Sequence, residues 1–137
     1  EECGKYTYEG EKALFERLNA SQEDAMLVCI VDGKVAGSCE IKFNQHLKTR
    51  HRASVAIALL REFWGQGIGT RLFQEMIGIA QRHGGILQME LEVVEGNDRA
   101  RHLYEKMGFR IAGVRPNAIC LKDGRLLHEY LMIRTME

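Results

Sequence analysis

Hydrophobic positions change period several times along this chain, and each change marks an element. Residues 1–9 show no clear pattern. Over 11–18, Ala13, Leu14, Phe15 and Leu18 share a face of helical period, and Asn19, Ala20 and Ser21 end it, which predicts a helix. Residues 25–31 form a short apolar run, Asp32-Gly33 is a hairpin turn, and 34–43 resume the run, which predicts two antiparallel strands. Residues 53–60 predict a third strand. From Ile68, the positions Leu72, Met76, Ile77, Ile79 and Ala80 follow a helical period, and Gly84-Gly85 stop it. Over 86–94, Leu87, Met89, Leu91 and Val93 alternate with Gln88, Glu90 and Glu92, which is strand period. Coming after a strand and a helix, this strand closes a right-handed βαβ unit and lies parallel to the 53–60 strand. Asn97 is a good N-cap for a second helix carrying Ala100, Leu103 and Met107, and Gly108 stops it. Residues 109–114 and 126–133 predict two last strands, with a turn at 122–124 before the second. The predicted fold is a single mixed α/β sheet, antiparallel at first, with at least one parallel pair.

Composition narrows the class. A chain of 137 residues is one domain, long enough to bury a core. Its 19 Lys and Arg balance 19 Asp and Glu, so no global field points to nucleic acid or a membrane surface. No apolar run reaches the length of a membrane span, and the opening EECGKYTYEG lacks the apolar core of a secretory leader. Cys3, Cys29, Cys39 and Cys120 form no metal-type pair; Cys29 and Cys39 flank the hairpin, which could bring them near each other, yet all four read as free thiols. These signs predict a cytoplasmic protein. The five histidines are scattered, and no metal site is expected. The basic stretch 44–52 reads as a solvated hairpin tip or as a patch for an anionic group, the tip being the simpler account.

The candidate chemistry lies between the third strand and the helix that follows. FWGQGIGTR, residues 63–71, places glycines at 65, 67 and 69 between them. Without Cβ atoms the backbone can approach a ligand closely. The helix start adds free N–H donors and the positive end of its dipole. Together these suit a phosphate or pyrophosphate. The spacing is not the dinucleotide fingerprint, because Thr70 stands where its third glycine belongs, and no Gly-Lys-Ser/Thr marks a nucleotide P-loop. A turn without a ligand remains open on the glycines alone.

Two motifs together resolve the choice. WGQGIGTRL at 64–72 resembles motif A of the GNAT superfamily of acyl-CoA-dependent N-acyltransferases. GNDRARHLYEKMGF at 96–109 resembles the segment that follows it there, and HEYLM at 128–132 fits the closing strand. The resemblance runs from about residue 25 to the end. It implies the GNAT fold: about six strands, helices on both faces, and a parallel central pair after the glycine turn. Only about twenty-five residues precede the first hairpin, so the usual opening strand is expected to be incomplete or absent. It implies acetyl-CoA as cosubstrate, its pyrophosphate on the amides of Gln66, Gly67, Ile68, Gly69, Thr70 and Arg71. The pantetheine arm would lie along Leu59, Leu60 and Arg61, where a β-bulge opens the family's strand, with Asn97 as a further contact. Tyr104 matches the tyrosine that protonates the leaving thiolate, and backbone N–H near Leu59 or Leu60 would stabilise the oxyanion.

Departures from the family pattern matter as well. Trp64 stands where an Arg or Gln often donates to the phosphates. Ser54 stands near the position of a glutamate base, leaving a water chain, Glu40, His51 or Glu90 as alternatives. The implied activity is acetyl transfer from acetyl-CoA to a primary amine by direct attack. A small-molecule amine is the first acceptor, a protein N-terminal amine the second, and a catalytically silent acyl-CoA-binding module the reading from another class. Dimers are common in the family, so a homodimer is compatible with the chain.

Overall fold

The computed structural model describes residues 5–8, 13–19 and 24–136. In chain order the elements are β1 (Lys5–Tyr8), β2 (Ala13–Asn19), β3 (Asp24–Val31), β4 (Lys34–Phe43), β5 (Arg52–Leu59), a 3-10 turn (Arg61–Phe63), α1 (Ile68–His83), β6 (Gln88–Val94), α2 (Asp98–Lys106), β7 (Arg110–Cys120) and β8 (Leu126–Thr135). They form one eight-stranded sheet in the order β1-β2-β3-β4-β5-β6-β8-β7. Every neighbouring pair is antiparallel except β5–β6. The expected mixed sheet with a parallel central pair is therefore present.

The strand count exceeds the expected six by the two at the N-terminal side. Of the stretch read as a helix over 11–18, the described residues 13–18 lie in strand β2, with β1 before it; residues 11 and 12 lie outside the described residues. Phe15 is fully buried, and its backbone stands opposite Cys29 of β3. A short helix is marginal by itself. Here β1 pairs with Ala13–Glu16 on one edge and β3 with Ala13–Arg17 and Asn19 on the other, and that context overrides the apolar period.

Register builds the core. Ala25, Leu27 and Cys29 stand opposite Ile41, Cys39 and Gly37, and the last three stand opposite Val55, Ile57 and Leu59. Successive strand residues point to opposite faces, so these side chains share one face, continued by Met89, Leu91 and Met132. α1 lays Leu72, Phe73, Met76, Ile79 and Ala80 across it. α2 joins the same cluster: Tyr104 meets Phe73 edge-on with ring centroids 5.6 Å apart, and Phe109 meets Phe73 at 5.6 Å. Both described helices thus lie on one face. Among the described residues the helices expected on both faces lie on this one, because residues 13–18 went to strand. The other face carries Ser54, Ala56, Ala58 and Glu92, all exposed.

The parallel pair is short. Only Arg52–Ser54 pair with Gln88–Glu90, whereas β5 continues to Leu59 and β6 to Val94. β6 stays paired with β8 along its whole length, and β5 stays with β4 from Ala53 to Leu59. The two central strands therefore diverge into a wedge-shaped gap. β5 opens this gap without the expected bulge, since its register to β4 is unbroken.

Candidate functional site

Beside the diverging end of β5 lies a cleft of about 680 Å³, bounded by that strand, the glycine turn and α2. Three elements converge there because each has a reason to end at this point. β5 contributes Ile57 and Leu59. Leu60 N–H donates to the Ala36 carbonyl of β4 at 2.9 Å. Strand alternation then turns the amide and carbonyl of Leu59 toward the gap. Leu59 is thus the backbone edge a ligand can pair with, while the Leu60 amide is already engaged. The expected oxyanion donor narrows to Leu59.

The turn contributes Gly65, Gly67, Gly69, Ile68 and Thr70. Gly65 and Gly67 have φ of 78° and 81°, the left-handed region that glycine enters without penalty. Gly67 caps α1, and the first helical bond runs from Arg71 N–H to the Gly67 carbonyl at 3.1 Å. The amides of Ile68, Gly69 and Thr70 therefore precede any intrahelical acceptor. Arg71 is different: its amide is spent on the helix and its side chain pairs with Glu75 at 3.2 Å. Gln66 also turns away, donating to the Glu62 carbonyl at 3.4 Å. Leu60, Arg61, Gln66 and Arg71 do not line the cleft; Leu59, Gly67, Ile68, Gly69 and Thr70 do.

α2 supplies the remaining wall. A Cβ on Gly69 would stand 2.8 Å from Leu103 Cδ2, so the absent side chain lets the two helices approach closely. Asn97 caps α2, its Oδ1 accepting from Ala100 N–H at 3.3 Å, and it also faces the cleft. Tyr104 is 8% exposed, lines the cleft, and burial raises its phenol above the ordinary tyrosine value. The phenol is therefore protonated throughout the neutral range.

The proposed bases are elsewhere. His51 precedes β5, at the end opposite Leu59; its carbonyl accepts from Leu87 N–H at 2.8 Å. Glu90 is held by Arg52 at 2.8 Å and Gln88 at 2.7 Å. Glu40 stands opposite Ala56, on the face away from the helices. Neither these three nor Ser54 lines the cleft. The basic tip over 44–52 does not reach it either; His46, Lys48 and Arg50 are exposed to solvent. Sequence reasoning missed Ile57, Arg99, His102 and Lys106, all in the lining. The last three recur three and four residues apart on α2, but that spacing alone does not say which face of the helix meets the glycine turn.

Among the cysteines, Cys29, Cys39 and Cys120 are free thiols as expected, and Cys3 lies outside the described residues. No described helix is long and apolar enough to cross a membrane.

Comparison with known proteins agrees with this fold. The family model described as acetyltransferase (GNAT) family matches residues 1–109. An uncharacterized N-acetyltransferase of Methanocaldococcus jannaschii is 32% identical over 111 residues, 77% of this chain and 49% of that protein. The spermidine N(1)-acetyltransferase of Escherichia coli is 25% identical over 119 residues, 87% of this chain and 57% of that protein. The chain thus spans about half the length of these relatives. A crystal structure of an acetyltransferase of the GNAT family from Streptococcus pneumoniae superposes with a TM-score of 0.80 at 31% identity, covering 85% of this chain and 70% of that one.

Proposed function

This chain belongs to the acetyltransferase (GNAT) family, and we propose that it transfers an acetyl group from acetyl-CoA to the primary amine of a small molecule by direct attack. The observation that carries the reading is the divergence of β5 from β6 beside the glycine turn. A parallel pair that stops at Ser54 leaves the Leu59 amide facing the gap, while the Leu59 carbonyl also accepts from the Trp64 indole N–H at 3.1 Å. An arm bearing amides can add to such an edge as a strand does. At the outer end of the cleft, the amides of Ile68, Gly69 and Thr70 and the α1 dipole suit the pyrophosphate. The relative named for spermidine acetylation supports a small amine as acceptor.

In this reading the amine nitrogen bonds to the thioester carbonyl carbon. Leu59 N–H faces the oxygen that gains charge, and a preorganised donor there lowers the barrier. Collapse breaks the carbon–sulfur bond and leaves a thiolate. The Tyr104 phenol hydrogen-bonds to that sulfur and gives it a proton, which solvent replaces. Its raised pKa makes it a reliable donor rather than a strong acid. With no carboxylate among the described residues of the cleft lining, the ammonium proton leaves to water in this reading.

Calorimetric titration with acetyl-CoA, then thiol release against a panel holding spermidine, amino acids and an N-terminal peptide, tests the proposal. Micromolar binding with turnover on a small amine is expected. Turnover on the peptide alone moves the acceptor to a protein N-terminus. Binding without release on any amine favours a silent acyl-CoA-binding module.

A further inference from the structure

The cleft is charged on one side only. Among the described residues its lining holds Arg99, His102 and Lys106, all from α2, and no Asp or Glu. Two cations nearby that do not line it are paired, Arg71 with Glu75 and Arg101 with Glu105, each at 3.2 Å. Arg99 has no carboxylate partner among the described residues. Its guanidinium carbon instead lies 4.4 Å from the centroid of the Trp64 ring.

Trp64 is held in place from two further directions. Its indole N–H donates to the Leu59 carbonyl at 3.1 Å, and the Arg61 guanidinium lies 5.2 Å from its ring centroid. The stack brings Arg99 to the glycine turn, its Nη2 3.7 Å from where a Cβ on residue 65 would stand. A guanidinium resting on a ring is attracted through the ring's electron-rich face. Its N–H donors remain available for a phosphate. Orientation is fixed, yet hydrogen-bonding capacity is not consumed.

Resting on the acetyl-CoA reading above, we propose that Arg99 is a pyrophosphate-binding residue and that Trp64 is the positioning residue that holds it at the turn. The chain thereby recovers the side-chain donor that Trp64 itself does not provide. The donor now comes from α2, across the cleft, and joins the α1 amides on the same anion.

Calorimetry with CoA, 3′-dephospho-CoA and pantetheine tests this on wild type, Arg99→Gln, Trp64→Ala and Trp64→Phe. Arg99→Gln should weaken CoA and dephospho-CoA equally, by about tenfold, as expected for a lost charge-assisted bond. Pantetheine, which lacks phosphates, should be unaffected. Trp64→Ala should reproduce this selective loss, and the double variant should be no worse than either single one, because both remove the same interaction. Trp64→Phe keeps a ring and should recover part of the affinity. Unchanged CoA affinity in Arg99→Gln overturns the proposal. So does a loss confined to CoA, which would place Arg99 at the 3′-phosphate. An equal loss for pantetheine would reduce the stack to a structural role and overturn it as well. Wild type that binds none of the three overturns the acetyl-CoA reading itself, which is a different result from wild-type binding with an indifferent Arg99→Gln.

Discussion

Gly67 has two separable duties, backbone geometry and ligand access. Its φ of 81° costs an L-residue about 1–2 kcal/mol, and its amide neighbours face the proposed pyrophosphate. Gly67→Ala imposes the strain without a charge. Gly67→Asp adds a carboxylate where the phosphates would sit. Calorimetry should show Gly67→Asp losing acetyl-CoA affinity on the order of 100-fold relative to Gly67→Ala, since like charges in contact repel strongly. Equal affinities in the two variants would remove the phosphate from the turn. Tyr104 divides in the same way, because its ring packs against Phe73 while its hydroxyl is available to the cleft. Tyr104→Phe keeps the packing. It should lower kcat by roughly 10²-fold while the acetyl-CoA dissociation constant holds. Burial raises the phenol pKa, so Tyr104 is lost as a proton donor only above the ordinary tyrosine range. Wild-type kcat should therefore show no alkaline fall from loss of this donor below about pH 10, the ordinary tyrosine value; a fall below it that is absent in Tyr104→Phe would contradict the raised phenol.

α2 begins at Asn97, where a cap and a cleft wall coincide. Asn97→Ala should cost about 1 kcal/mol in thermal or denaturant unfolding, as cap removal does. Asn97→Ser keeps a capping oxygen but lacks the amide group. It should unfold within about 0.5 kcal/mol of wild type while losing acetyl-CoA affinity several-fold, if the amide meets the pantetheine arm. Equal losses of stability and affinity across both variants would leave Asn97 as a cap only. This element was legible in the sequence because cap, apolar period and glycine stop all agree. The same holds for α1 and for the alternating β6. β2 was not legible, since Ala13, Leu14, Phe15 and Leu18 satisfy a helical template and only distant pairing with β3 selects strand. β7 was read six residues short, because residues 115–120 are mostly exposed and hold their place through β8. In the site, the glycine turn and Asn97 were readable as local signals. Arg99 was not, because its place follows from the contact of one helix with a tryptophan thirty-five residues earlier. The inward turn of Leu59, rather than Leu60, likewise depends on a bond to β4.

Over the whole molecule, the helix-bearing face buries two thiols that must remain protonated. Cys29 is fully buried and Cys39 is 2% exposed. Burial pushes the Cys29 thiol up to about 11, and burial, with the negative Glu75 carboxylate adding to it, pushes the Cys39 thiol up to about 12. In the unfolded chain a cysteine ionises near 8.5. The folded state therefore binds these protons more tightly, and the stability they contribute is complete below the unfolded value. It falls as pH rises through the window from about 9 to 11 for Cys29 and to 12 for Cys39. Within that window each thiol lowers stability by up to about 1.4 kcal/mol per pH unit, since the unfolded state releases a proton that the folded state keeps. Replacing both by alanine removes the slope along with some packing. Denaturant titration from pH 7 to 10.5 should show wild-type stability falling progressively above pH 9, and the Cys29→Ala/Cys39→Ala variant, though less stable at pH 7, falling distinctly less. Parallel curves would mean that the thiols meet water in the native state and that the sheet face under α1 is not closed. Reducing agent should leave both curves where they are, because Cys29 and Cys39 are free thiols.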